Sequence, residues 1–173
     1  MAEPVYWGVT IDNLRQAFYY LYYGKNYPRE EAMKFILPMQ NNFFSPIEAA
    51  SDDTYILVTY TTDDSITTDA NSPATNYTIK RAECSVRFVG AQAEIWAKAL
   101  HHMRSRPAFY KIWLGTCQAE FLKYIGAINT MPVSFFGKNF NTAFDIDFYL
   151  EYKESIDLGW LPLENVSVAP GNI

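Results

Sequence analysis

Few residues in this sequence could do chemistry, and their spacing does not assemble a reaction centre. Asp145 and Asp147 lie two apart, so on a strand they share a face about 7 Å from one another, within reach of acid/base work. Such a pair needs a cleft and a perturbed environment. A strand face supplies neither, so with Glu151 these carboxylates read as solvated or salt-bridged surface. His101 and His102 are adjacent, about 100° apart on a helix, and cannot share a metal as an i, i+4 pair would. Lys98, Arg104 and Arg106 could grip an acidic partner or a phosphate, but a helix end explains them equally well. Gly24-Lys25 and Gly137-Lys138 lack the preceding glycine of a phosphate loop, and no HExxH, paired-cysteine zinc pattern or calcium loop occurs. The expectation is therefore no catalytic residue, no metal ligand, no cofactor and no enzyme.

The elements that would position these residues follow from periodicity. Over residues 140–152 the even positions hold Phe140, Phe144, Ile146, Phe148, Leu150 and Tyr152, with only Thr142 interrupting. The odd positions hold Asn139, Asn141, Asp145, Asp147, Glu151 and Lys153, which predicts a strand with one buried face and one wet, mainly acidic face. Cys84, Val86 and Phe88 alternate with Ser85, Arg87 and Val89. The outward Arg81 and Arg87 complement the acidic face, so these two strands are expected to be sheet neighbours. Gly90 breaks the second strand. A helix follows whose apolar stripe is read as Ile95, Ala99 and Met103, widened by Trp96 and Leu100, with Glu94 set to pair with Lys98 and Pro107 as a stop.

Upstream, Thr10 or Asp12 can cap a helix running to about Tyr23, with Gly24 ending it and Ile11, Leu14, Phe18 and Leu21 facing the core. Tyr19, Tyr20, Tyr22 and Tyr23 fill the rest of its last turns. They either meet another subunit or lie over the domain's own loops. A short helical piece over residues 29–33 precedes a strand over 34–40, where Pro38 marks an edge or a bulge. A loop with Pro46 and a strand over 55–60 come next. Residues 61–76 are polar and aperiodic, and too long for an ordinary hairpin loop. They are read as a loop that is disordered alone or orders against a partner. Residues 108–115 are expected to form a further helical turn and 132–136 a short strand or loop, while 118–129 give no pattern. A closing strand over 164–168 and a tail over 169–173 end the chain.

Composition narrows the class. A length of 173 residues points to one domain. A net charge of −5 argues against a nucleic-acid-binding surface, which needs a basic patch. Cys84 and Cys117 lack CxxC spacing and are expected as free, reduced thiols. No signal peptide is evident, and no apolar run approaches the roughly 18 residues of a membrane span. Thirteen Tyr, 12 Phe and 4 Trp are the unusual numbers; tyrosine suits surfaces that are dry at one end and wet at the other, often interfaces. The fold class is α+β, an antiparallel sheet with helices packed on one face.

The order of motifs carries a resemblance. An N-terminal helix leads to a strand before Gln40-Asn41 and Pro46, then to a YILV strand at 55–58 and a SVRFVG strand at 85–90. A helix and a late FDIDFYLEY strand at 144–152 complete it. The pattern, over most of residues 10–168, resembles the phage neck or tail terminator proteins, small ring-forming subunits at the head–tail junction of tailed bacteriophages. The resemblance implies helices on a curved antiparallel sheet in a single domain over 1–173, assembled in the host cytoplasm into a ring, most commonly six-fold. It implies a virion location in the tail or neck, with the tail tube protein and the neck or connector proteins as partners and no membrane. Double-stranded DNA would pass through the lumen without specific binding, in keeping with an acidic chain. On that reading Asp145, Asp147 and Glu151 face the channel or a neighbouring subunit. Tyr19, Tyr20, Tyr22 and Tyr23, with Asp63, Asp64 and Asp69 of the 61–76 segment, serve subunit contacts. The alternative is a non-viral α+β oligomeric binding module without catalytic activity, which would be monomeric or dimeric and show a concave pocket.

Overall fold

The computed structural model describes residues 5–7, 9–39, 53–72, 75–135 and 138–157, with side chains over 9–39, 53–62, 79–130 and 143–153. In chain order the elements are β1 (Val5–Trp7), α1 (Ile11–Tyr22), α2 (Arg29–Ala32), β2 (Ile36–Pro38), β3 (Thr54–Ser72), β4 (Thr75–Gly90), α3 (Ala93–Met103), α4 (Pro107–Cys117), β5 (Ala119–Phe135) and β6 (Lys138–Asp157). The expected strand over 164–168, the loop at Gln40-Asn41 and Pro46 and the 169–173 tail lie outside the described residues.

The alternation over 140–152 becomes β6, and its polar face finds the basic strand. β4 pairs with β6 antiparallel from Tyr77↔Ser155 to Val89↔Ala143, which sets Arg81 opposite Glu151 and Arg87 opposite Asp145. β3 pairs antiparallel with β4, and β2 adds parallel to β3 through Ile36↔Ile56 to Pro38↔Val58. β5 and the short β1 both pair with β6. At Ser155 both Tyr77 of β4 and Trp7 of β1 are partners, so β1 and β5 take the same edge of β6 in line. Among the described residues six strands thus fill five positions of one open, mixed, mostly antiparallel sheet, with helices packed against it. Pro38 sits on the edge strand, where a missing N–H breaks no ladder. The parallel pair is closed by Ile56 N–H donating to Phe35 O (2.8 Å) and Met39 N–H donating to Val58 O (2.7 Å).

The core lies between the helices and one sheet face. Ala82, Cys84, Val86 and Phe88 of β4 and Ile146, Phe148, Leu150 and Tyr152 of β6 are buried there, against Leu14, Ala17 and Phe18 of α1 and Phe109 and Trp113 of α4. At its centre Trp113 packs edge-on to Phe18 (5.7 Å between centroids) and tilted on Phe148 (5.2 Å). Aromatic rings meeting in this way contribute beyond their buried area. α1 starts at Thr10, whose Oγ1 accepts from Asn13 N–H (3.1 Å), so Thr10 rather than Asp12 is the cap. It ends where Gly24 takes φ +72° and its N–H donates to Tyr19 O. Arg15 ties α1 to the edge strand, its Nε donating to Ile36 O (2.6 Å) and Nη2 to Met33 O (3.1 Å).

Three expectations are corrected. Residues 61–72 and 75–76 are strand, not loop: they extend β3 and β4 as far as the Ser72↔Thr75 pair, with a register shift between Asp63 and Thr68. Threonine-rich sequence favours extended backbone, and the backbone ladder needs no apolar alternation to form. The α3 stripe is rotated, with Ala93, Ala97 and Leu100 buried and Ile95 68% exposed. Small alanines on the inner face bring the helix close to β4 and β6, which leaves Ile95 outward. Pro107 begins α4 at its first turn instead of only stopping α3, since its missing N–H costs nothing there.

Gly90 turns the chain from β4 to α3 at φ +119°, and a Cβ there would lie 2.0 Å from Asp53 O. No side chain fits without moving the start of β3. Gly90→Ala should therefore lower unfolding free energy by on the order of 2–4 kcal/mol in urea titrations; a loss below about 0.5 kcal/mol, the size of an ordinary surface change, would contradict the packing.

Candidate functional site

The sheet face turned away from the helices carries the charged side chains of β4 and β6 that the sequence singles out. Because side chains alternate, Arg81, Glu83, Ser85 and Arg87 of β4 share this face with Asp145, Asp147, Tyr149 and Glu151 of β6. Arg87 grips Asp145 with two parallel bonds, Nε to Oδ1 and Nη2 to Oδ2, each 2.7 Å. Such fork-to-fork pairing is the strongest geometry open to these groups. Ser85 Oγ donates to Asp147 Oδ1. Arg81 lies 3.7 Å from Glu151 and stands over the Tyr149 ring, 5.5 Å from its centroid, with Lys123 of β5 at 6.0 Å from the same ring. Leu57, Val89 and Ala143 close the β2 end of this face as a small apolar cluster with Leu37 and Met39.

Electrostatically the face is a paired ladder. The side chains of Arg87 and Asp145 are 21% and 17% exposed, so their attraction is only partly screened. The Asp145 hydrogen bond pushes the Arg87 pKa up, against the opposing effect of burial and with help from the Asp145 charge. The expectation of an acidic strip at Asp145, Asp147 and Glu151 is thereby modified: all three are on one face, and each has a cross-strand partner on β4. Neutralising cations come from a strand more than fifty residues earlier, which the pattern of β6 alone does not reveal.

The other site residues fall in different places. Tyr19 is 4% exposed and its hydroxyl donates to Tyr27 O (2.6 Å), which leaves it no surface for a neighbour and corrects the expectation there. Tyr22 stacks on Trp96 (5.0 Å) and donates to Trp96 O (2.8 Å). Tyr20 and Tyr23 are half-buried, with Tyr23 against Tyr27 and Trp96. An aromatic helix end here serves chiefly to hold its own chain. Asp63 pairs with Arg81 and Asp69 with Thr78 through the backbone of the first hairpin, and Asp64 lies in the same strand. The side chains of these three are outside the described ones.

His101 stacks on Tyr124 (4.1 Å), and burial, then His102 and Arg104, lower its pKa. Lys98 pairs with Glu94 one turn away. Among the described residues no group of three His, Cys, Asp or Glu is placed to hold a metal ion, and no helix is long and apolar enough to cross a membrane. Cys84 and Cys117 are free and buried. Burial, then Cys117 and Glu83, hold the Cys84 thiol well above its ordinary value. Burial pushes Cys117 up to about 11, opposed by Thr116. Buried neutral thiols are poor nucleophiles. A feature invisible in the sequence is a cleft walled by Tyr23, Tyr27, Phe35 and Trp96, with Asp53 in its lining.

Compared with models of known protein families and with curated proteins, the chain matches none.

Two outcomes follow from this electrostatic arrangement. Asp145→Ala removes both bonds of the fork from a half-buried guanidinium and should cost about 1–3 kcal/mol. A double-mutant cycle with Arg87→Ala should recover a coupling well above the few tenths expected of the exposed Glu94–Lys98 pair; equal couplings would contradict the ladder. The Cys117 thiol ionises near 9.0 ordinarily and at about 11 when folded, so its contribution is intact below the lower value and is lost as pH rises through the higher one. Unfolding midpoints should fall across that window, and native thiols should resist a thiol-specific reagent at about pH 8 that labels both in denaturant. Rapid native labelling would contradict their burial.

Proposed function

We propose that the chain is a virion structural protein, a ring-forming terminator subunit at the head–tail junction of a tailed bacteriophage. It would cap the tail tube and join it to the neck around a channel for DNA. The observation that supports this reading, beside the sequence resemblance, is a sheet whose two outer edges lack strand neighbours over most of their length among the described residues. β2 covers β3 only at residues 56–58, so from Thr59 to Ser72 the outer edge of β3 has no strand neighbour among the described residues. Among the described residues β5 pairs with β6 alone, which leaves its other edge without a described strand neighbour.

Unpaired strand edges are templates for another chain. Two different open edges on one subunit support a head-to-tail contact, the heterologous kind that closes into rings. The two hairpins turn at opposite ends of the sheet: Ser72↔Thr75 lies toward the C-terminal end of β6, and Phe135↔Lys138 begins it. Each could reach a different neighbour, within the ring or above it. A six-fold ring with the tube protein on one side and the neck or connector on the other is the assembly that the resemblance implies. An acidic chain, of net charge −5, would leave the lumen without spare cations to hold double-stranded DNA, because phosphate binding is driven by Lys and Arg. The aromatic cleft is what favours the second reading, a binding module outside any virion.

Size-exclusion chromatography with mass measurement, followed by negative-stain imaging, tests the proposal. The expected result is a ring, alone or on addition of tail tubes, and loss of that ring when residues 66–71 are deleted from the first hairpin while circular dichroism stays unchanged. A monomer at every concentration, with and without tubes, would sink it.

A further inference from the structure

We propose that the cleft between the end of α1 and the start of α3 binds an organic monocation, an alkylammonium or guanidinium group. Its volume is about 230 Å³, below the roughly 300–1,000 Å³ of pockets for drug-sized ligands, so it suits a head group on a short stem. Four aromatic residues line it. The Tyr23 ring meets Tyr27 at 49° (5.0 Å) and Trp96 at 88° (5.8 Å), which makes an angled wall instead of a flat stack. Phe35, held against Tyr55 (5.6 Å), is a further lining ring. Aromatic faces carry negative charge density and attract cations, quaternary ammonium groups above all.

Asp53 supplies the charge. Its carboxylate has no hydrogen-bond or ion-pair partner among the described residues, although it is half-buried beside these rings. Its proximity is felt by both nearby phenols: Tyr23 is raised to about 12 by burial, then by Tyr27 and Asp53, and Tyr55 is raised by burial and then Asp53. A carboxylate among aromatic rings repels anions and gives a neutral apolar ligand no advantage. A cation answers both the rings and the carboxylate.

The wall is also built in advance. Tyr19 donates to Tyr27 O and Tyr22 to Trp96 O, so a hydroxyl from α1 anchors the backbone beneath each of these two rings. The Trp96 indole N–H donates to Gln92 Oε1 (3.1 Å), and Gln92 N–H donates to Thr54 Oγ1 (2.9 Å), which fixes the indole relative to Thr54, the chain neighbour of Asp53. Little ordering is left for a ligand to impose. The tyrosine-rich end of α1 thus acquires a role that the assembly reading does not require, and the two stand or fall separately.

Ligand-observed saturation-transfer NMR on the full chain tests the site with choline, its neutral carbon isostere, and Nα-acetylated amides of lysine and arginine. The cations should bind with dissociation constants on the order of 1 mM and the isostere should give no signal. Asp53→Asn should weaken binding about tenfold, and Trp96→Leu likewise, with circular dichroism unchanged. Binding of choline alone would mark a free quaternary ammonium as the ligand; binding of the lysine or arginine amide would mark a basic side chain of a protein partner. Equal signals from choline and its isostere, no binding of any cation, or an unaffected Asp53→Asn would overturn the proposal.

Discussion

The antiparallel register of β4 on β6 is the constraint on which the rest of this structure depends. One alignment satisfies both faces at once: Cys84 meets Phe148 and Phe88 meets Phe144 under the helices, while Arg87 meets Asp145 and Arg81 meets Glu151 on the far side. A slip of one residue would turn every apolar side chain outward and bury the charges. The hydrophobic term supplies most of the stabilisation, but it is indifferent to a two-residue shift, which keeps the apolar face inward. The Arg87–Asp145 fork is not indifferent. A shift of two would place Arg87 beside Asp147 or Ala143 and break the bidentate geometry. Burial chooses the face and the ion pairs choose the register.

From that central pair the sheet grows outward with less and less to hold it. β3 follows β4 through a long hairpin whose inner residues are apolar and whose distal residues are polar, so its far end relies on backbone bonds. β2 is three residues long and is held as much by Arg15 of α1 as by its own ladder. β5 leaves register with β6 three times. Each bulge adds local twist and bends the strand. A sheet built this way is most tightly held at its centre and least constrained at its edges.

The aromatic content is partitioned by position. Phe18, Phe88, Phe109, Trp113, Phe121 and Phe148 form the centre of the core, while Tyr22, Tyr23, Tyr27 and Trp96 gather near the α1–α3 junction. The tyrosine hydroxyls explain the second group. Each buried ring at this junction needs a polar partner, and the carbonyls of Tyr27 and Trp96 provide one for Tyr19 and Tyr22. What reads in the sequence as a surplus of interface residues is, for these two, internal fastening.

By itself the sequence determined whatever rests on local period or on complementary charge. The β6 alternation, the α1 start at Thr10 or Asp12 and stop at Gly24, the break at Gly90, the Glu94–Lys98 pair and the adjacency of the Arg81/Arg87 strand to the acidic one were all legible, because each is written within a few residues or in one matched pair of faces. Tertiary structure alone decided the rest. β5 was hidden because its bulges switch the inward side from Phe121 to Tyr124 and erase the two-residue period. The first hairpin was hidden because backbone pairing leaves no apolar trace. The phase of α3 depended on how closely Ala93 and Ala97 could approach the sheet. The cleft joins residues from the end of α1, the approach to β2, the start of β3 and the start of α3, and no spacing along the chain records a meeting of four segments that only the packed fold brings together.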